Sequence, residues 1–226
     1  MSRIAVFFLL VITPALAVLL ALLGILTMPN NLVGWFLLLT GAIYSAGLVI
    51  VYRIRRKRFW ESGRSESTTQ EEHGDRSFWL ITLAMMSVFF LSPLEYLFLS
   101  PSFTRNSWMQ YSGIGLIILG SALFIWARRT LGANYSGHAS VKKGQELVRS
   151  GPYHYIRHPA YAGYLLMAFG ISIGYSSLVG LVATLVLLLP SLFYRIKLEE
   201  QLLSDHFGEV YRHYVNATKR LIPSVW

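Results

Sequence analysis

The stretch "RHPAYAGYLLMAFGISIGYSSLVGLVATLVLLLPSLFYR", residues 157–195, decides the fold. Apolar residues fill 160–174, pause at Tyr175, Ser176 and Ser177, and resume through 178–194. Two apolar runs joined by so short a polar break form a tight helical hairpin, and in lipid a helix is what satisfies such a run's backbone. The first arm is short for a crossing of about 30 Å, so it is tilted, re-entrant or extended by the residues before it. Arg157, His158 and Pro159 stand at its head. Pro159 cannot donate a backbone N–H and suits a first helical turn, so the helix begins there, and its exposed N–H groups would attract an anion such as a carboxylate. The plainest reading of the cluster is an interfacial anchor, with Arg157 reaching head groups and Tyr153, Tyr155 and Tyr161 in the aromatic belt.

The rest of the chain agrees with a bilayer. Of 226 residues 54% are hydrophobic and only 14% charged, and the mean hydropathy is +0.48, which excludes a water-soluble globular domain. With no cysteine, disulfides, thiolate zinc sites and cysteine nucleophiles are excluded; no metal site is expected. The net charge of +9 collects at the ends of apolar spans, a topology signal and not a nucleic-acid footprint. Residues 4–26 are long enough for a membrane anchor rather than a removed signal, and a second span covers 32–52. "RIRRKR" (53–58) opens a polar loop to about 77. A third span, 78–99, carries Glu95 near its end, and a fourth, 108–127, is closed by Arg128 and Arg129. The polar segment 130–158 and the charged, aromatic tail 195–226, which reads as an interface-lying helix, fall on the side of the 53–77 loop. The expected fold is an all-α integral membrane protein of about six passes, the last two being the hairpin. Both termini and a C-terminal catalytic region then face the cytoplasm. There is no repeat and no pair of matched broken helices of the kind a transporter shows. Residues 1–107 hold the N-terminal spans and 108–226 the region that carries chemistry.

Polar side chains concentrate in 134–161 and 194–214, both at the same leaflet. Arg195 and Glu199 are four apart and share a helix face. They are either an ordinary ion pair or a site offering one cation and one anion to two ligand groups. Glu200 lies about 100° further round, so the two carboxylates are not expected to enter one narrow pocket; Glu199 is favoured.

These residues also carry a resemblance. "WARRTLG" (126–132), "ELVRSGPYHYIRHPAYAG" (146–163), "EE" (199–200) and "HFGEVYRHYVNATKRLIP" (206–223) resemble, in order and spacing, the isoprenylcysteine carboxyl methyltransferase family and its phospholipid methyltransferase relatives, over roughly 113–226. The resemblance implies a membrane enzyme that binds S-adenosylmethionine from the cytosol and takes a lipophilic or prenylated acceptor from the bilayer. By residue it implies a cofactor pocket of His138, Gln145, Glu146, Leu147, Val148, Tyr153, His158, Pro159, Ala160, Tyr161 and Glu199, with Arg195 binding the acceptor. Arg195 and Glu199 would be the catalytic pair. Many members carry a histidine where this chain has Gln145, a neutral amide that replaces one hydrogen bond but cannot become cationic. "GIG" (113–115) is similar to a glycine pair tied to the cofactor in the phospholipid branch, although close helix packing is the commoner use of such glycines. A prenylcysteine carboxylate is the expected acceptor; a phospholipid amine, an isoprenoid acid and a lipophilic thiol stay open. An NADPH-dependent enzyme like the sterol reductases, or a non-catalytic membrane scaffold, are the readings from other classes.

Overall fold

The structure is a computed structural model and describes residues 32–35, 76–99, 106–134 and 146–222. The expected spans at 4–26 and 32–52 (apart from helical residues 32–35), nearly all of the 53–77 loop, and the pocket residues His138 and Gln145 lie outside the described residues. The chain divides into two compact units, 1–71 with 97–99, and 72–96 with 100–226. The second builds the site.

Its elements are helical: α1 (Arg76–Phe98), α2 (Ser107–Leu131), α3 (Pro159–Gly174), α4 (Leu178–Phe207) and α5 (Glu209–Ala217), with 3₁₀ turns at Gly132–Asn134 and Gly151–His154. Among the described residues the only β pairing is an isolated parallel bridge between Ile156 and Lys219. Three helices, α1 from Ser77, α2 and α4, are long and apolar enough to cross a membrane. α3 has 16 residues, about 24 Å at 1.5 Å per residue. It is not lengthened at its head, because the residues before Pro159 form the 3₁₀ turn and the bridge.

α2 starts where the Asn106 side chain accepts from the Trp108 N–H (3.1 Å), and it packs antiparallel on α3 through glycines seven residues apart. A Cβ on Gly113 would lie 2.5 Å from Gly174 Cα and 2.6 Å from the Gly170 carbonyl; one on Gly120 would lie 2.6 Å from the Gly163 carbonyl. With lipid outside, such backbone approach is what holds two helices together. Gly115, the other glycine of "GIG", faces open space.

The hairpin turn is closed by two caps. Ser177 accepts from the Gly180 N–H (2.8 Å), and Glu95 of α1, buried, accepts from the Ser177 hydroxyl (2.5 Å) and the N–H groups of Val179 (2.9 Å) and Leu178 (3.3 Å). A carboxylate there meets unpaired N–H groups and the positive end of the helix dipole. Further along, α4 widens into a π-helical turn at Thr184–Leu188, where Leu189 N–H reaches Thr184 O. Pro190 follows, and a proline neither donates to the carbonyl four residues back nor leaves it room.

One boundary differs from the sequence reading. α4 does not end with its apolar run at 194; it continues through Arg195 to Phe207 without a break. "KLEEQLL" consists of strong helix formers, so the helix outlasts its lipid-facing part. Gly208, at φ 53°, turns the chain into α5.

Candidate active site

The site assembles where the head of α3, the charged half of α4, α5 and the tail meet. Main-chain bonds strap "RHP" to the tail: Arg157 N–H donates to Lys219 O (2.7 Å) and His158 N–H to Arg220 O (3.0 Å). Arg157 is not at the surface as an anchor would be. Its side chain is buried, donates from Nε to Glu200 Oε1 (3.0 Å) and from Nη1 to the carbonyls of Val215 (3.0 Å) and Thr218. One guanidinium thereby fastens α3, α4, α5 and the tail. Of the three tyrosines expected in an aromatic belt, only Tyr155 is exposed.

His158 caps α3 from its backbone, its carbonyl accepting from the N–H groups of Tyr161 and Ala162 (3.1 Å each). Its ring lies between two carboxylates, with Nδ1 3.6 Å from Glu199 Oε2 and Nε2 3.4 Å from Glu200 Oε1. The expectation that Glu199 and Glu200 cannot converge is therefore corrected. The helical offset stands, but an imidazole carries nitrogens on opposite edges and meets both. The two acids are held differently. Glu200 is fastened by Arg157 and by Arg220, whose Nε and Nη2 lie 3.0 and 2.9 Å from Oε2. Glu199 is shared: Oε1 accepts from Arg195 Nε (2.8 Å) and the Tyr161 hydroxyl (2.5 Å), while Oε2 faces His158.

Arg195 is 2% exposed. Its Nε also reaches Tyr161 Oη (3.1 Å) and its Nη1 donates to Ser77 Oγ of α1 (2.9 Å). The i,i+4 spacing thus gives the expected pair with Glu199, but as part of a four-residue network. The rings of His158 and Tyr161 stack at 5.7 Å and 18°, and Tyr164 continues the column at 6.4 Å. An aromatic wall runs from the polar cluster along α3 into the apolar layer.

The remaining candidates are dispersed. Glu146 is exposed, Leu147, Val148 and Ala160 are half-buried, and Pro159 is fully buried at the start of α3. Tyr153 is buried, its carbonyl accepting from the Tyr214 hydroxyl (2.6 Å). Burial pushes the Tyr214 phenol up to about 12. Reasoning from sequence missed Ser77, Tyr211, Tyr214 and the clamp of Arg220 on Glu200. Arg220 and both tyrosines stand inside the quoted tail block, which was their one signal; Ser77 has none.

Three comparisons bear on this arrangement. The family model described as phospholipid methyltransferase matches residues 108–210. Protein-S-isoprenylcysteine O-methyltransferase A of Arabidopsis thaliana is 30% identical over 151 residues, 65% of this chain and 77% of the relative; the B protein of the same plant is 28% identical over 140 residues, 60% and 71%. Among solved structures, a eukaryotic intramembrane Ras methyltransferase, an isoprenylcysteine carboxyl methyltransferase, superposes with a TM-score of 0.61 at 23% identity, covering 94% of this chain and 74% of that one. At that identity the superposition speaks for the fold.

Proposed function

The chain belongs to the isoprenylcysteine O-methyltransferase family, and on that premise we propose that this membrane methyltransferase moves the methyl group of S-adenosylmethionine onto the carboxylate of a lipophilic acceptor of isoprenylcysteine type, at the cytoplasmic face. The observation that carries the reading is the network that joins the buried His158 and Arg195 to the partly buried Tyr161 and Glu199 at the end of an apolar hairpin. It supports the reading by offering one cation and one anion where a water-borne and a lipid-borne reactant would meet.

The donor set fits such a cofactor. Glu199 is partly exposed, with Oε2 3.6 Å from His158 and so beyond a hydrogen bond, which leaves an anion facing a cationic ligand. Tyr153, the 158–161 run, Glu199 and the 146–148 segment, with His138 and Gln145, would hold the cofactor. When bound, it supplies a methyl group on a sulfonium, open to in-line displacement. A carboxylate acceptor is already ionised near neutral pH, so no residue has to remove a proton. What the chain supplies is position and a dry site: alignment of two reactants lowers barriers by several kcal/mol, up to about 7–11 in favourable cases.

Arg195 is the residue that would orient the acceptor carboxylate by its planar fork. Its Nε is now engaged with Glu199, so a cation arriving at Glu199 would weaken that bond and release the guanidinium toward the acceptor. Cofactor before acceptor is the order this linkage favours.

Incubation of membranes holding the protein with methyl-labelled S-adenosylmethionine, then mild base, tests the reaction type. A carboxyl methyl ester releases its label as volatile methanol, whereas an N-methyl or S-methyl product keeps it. Base-stable label would replace carboxyl transfer with amine or thiol methylation. The facing of the site is tested separately: reporters at Gly63 and after Trp226 should both read cytoplasmic, and an opposite reading at either would overturn the orientation.

A further inference from the structure

We propose that Ser77 of α1 is a positioning residue for the methyl transfer, holding the Arg195 guanidinium in the plane in which it meets the acceptor carboxylate. The role deepens the reading above, on which it rests, and brings into the site a helix that reading does not use.

Ser77 stands in the first turn of α1 and is fully buried. Its Oγ accepts from Arg195 Nη1 at 2.9 Å, although 118 residues of sequence separate the two. Arg195 is thereby held at two different nitrogens, since its Nε reaches Glu199 Oε1 (2.8 Å) and Tyr161 Oη (3.1 Å). A guanidinium is a rigid planar fork, so bonds at two of its nitrogens fix its tilt as well as its place. Tilt is what two parallel bonds to a carboxylate require. The hydroxyl meets no ligand itself and acts through the arginine.

The Glu199 and Ser77 anchors differ in what they do to the charge. Glu199 is an anion and competes with an acceptor carboxylate for the same cation. Ser77 is neutral, so it orients the fork and leaves the positive charge to the acceptor. They also differ in their response to a cofactor. A cationic ligand at Glu199 draws that carboxylate away from Nε, whereas a serine oxygen on another helix carries no charge for the ligand to attract. The Ser77 bond therefore persists as the Glu199 bond loosens. The guanidinium then pivots on Nη1 and does not regain the rotamer freedom of a long side chain, a freedom the acceptor would have to remove on binding. Ser77 has no exposed surface, so water does not compete for that bond.

The test uses the purified full chain in detergent, with N-acetyl-S-farnesylcysteine as the carboxylate acceptor. Wild type is compared with Ser77→Ala, Ser77→Cys and Ser92→Ala, the last at a second buried serine toward the other end of α1. Rates are taken per S-adenosylmethionine-binding molecule, so that unfolded protein does not count. Ser77→Cys nearly keeps the volume and offers only a weak acceptor, so it separates the hydrogen bond from mere filling of space. Both Ser77 variants should lower kcat/KM for the acceptor about tenfold, the worth of one hydrogen bond to a charged group, with Kd for S-adenosylmethionine within twofold of wild type. Ser92→Ala should leave both within twofold. Placed on Arg195→Lys, Ser77→Ala should add less than a twofold loss, because an ammonium has no plane to hold. Three results would overturn the proposal: kcat/KM of Ser77→Cys within twofold of wild type, a cofactor Kd weakened as much as kcat/KM falls, or a tenfold loss that persists on Arg195→Lys. Wild type that binds S-adenosylmethionine and methylates no carboxylate overturns the acceptor reading, and the positioning role with it; wild type that does methylate, with Ser77→Cys unchanged, overturns the positioning role alone.

Discussion

At the Leu178 end of α4 a buried carboxylate, Glu95, accepts from one hydroxyl and two backbone N–H groups that belong to the start of that same helix. At the charged end of α4 another carboxylate, Glu199, divides its oxygens among Arg195, Tyr161 and His158, which come from α4 itself, from α3 and from the residue that caps α3. The difference teaches what to look for when an acid is found in a membrane helix. Glu95 completes a helix terminus: its donors are the capping Ser177 hydroxyl and two fixed backbone N–H groups, and nothing is gained by exchanging them. Glu199 joins side chains that can each turn elsewhere, and one of its oxygens lies beyond hydrogen-bond distance of its neighbour. On the proposed function, the first is an acid for folding and the second would be an acid for exchange of partners.

The largest effects should be functional and confined to the Glu199 end. Glu199→Gln keeps shape and removes charge, so affinity for S-adenosylmethionine should fall about ten- to a hundredfold, the worth of a charge-assisted hydrogen bond, with little change in melting temperature. Arg195→Lys keeps the charge and loses the fork; turnover of a carboxylate acceptor should drop about a hundredfold while cofactor affinity stays near wild type. For an amine acceptor the same change should matter far less. Loss of cofactor binding in Arg195→Lys, with acceptor affinity intact, would reverse the two roles.

Next in size is the opposite signature at the other end. Glu95→Ala removes a cap and strands the Ser177 hydroxyl and two N–H groups, for a loss of roughly 2–3 kcal/mol of stability. Binding of S-adenosylmethionine by the folded fraction should be unchanged within twofold. A Glu95→Ala protein that melts like wild type but binds cofactor poorly would dissolve the distinction between the ends.

How much of this could be read beforehand follows from how local each signal is. The hairpin and the start of α3 were legible because apolar runs and a proline act on their own neighbours. The continuation of α4 past 194 was not, since hydropathy marks where lipid stops and not where a helix stops. The i,i+4 pairing of Arg195 and Glu199 was visible, whereas the meeting of both acids at His158 depends on a ring from a segment some forty residues earlier in the chain. Arg157 reads in sequence as a residue reaching for head groups; the carbonyls of Val215 and Thr218 that claim it are brought by the fold alone. "GIG" was read toward packing, and its two glycines divide: Gly113 lies in the α2–α3 seam and Gly115 does not. Gly113→Ala should therefore destabilise by about 1–3 kcal/mol, as overpacking does, and Gly115→Ala should be neutral or slightly stabilising. Equal effects at the two positions, in a denaturant or thermal series, would remove the seam as the reason for Gly113.

The smallest expected effect probes the remaining acid. Glu200 faces the same imidazole as Glu199, yet two arginines hold it, Arg157 buried and Arg220 with its side chain 41% exposed. If Glu200 is an acid for folding like Glu95, its partners should rank by burial. Arg157→Ala would leave a largely buried carboxylate short of its inner cation and four elements unfastened, a loss on the scale of about 3–5 kcal/mol. Arg220→Ala removes a solvent-screened pair worth under about 1 kcal/mol. It also leaves the strap in place, because His158 N–H bonds to the Arg220 backbone carbonyl and not to its side chain. Turnover and KM of Arg220→Ala should accordingly stay within about threefold of wild type, and its small stability loss should fade in high salt. A drop in turnover of more than tenfold at unchanged stability would place Glu200 beside Glu199 among the groups that exchange partners, and the line between the two kinds of acid would then fall within a single helical step.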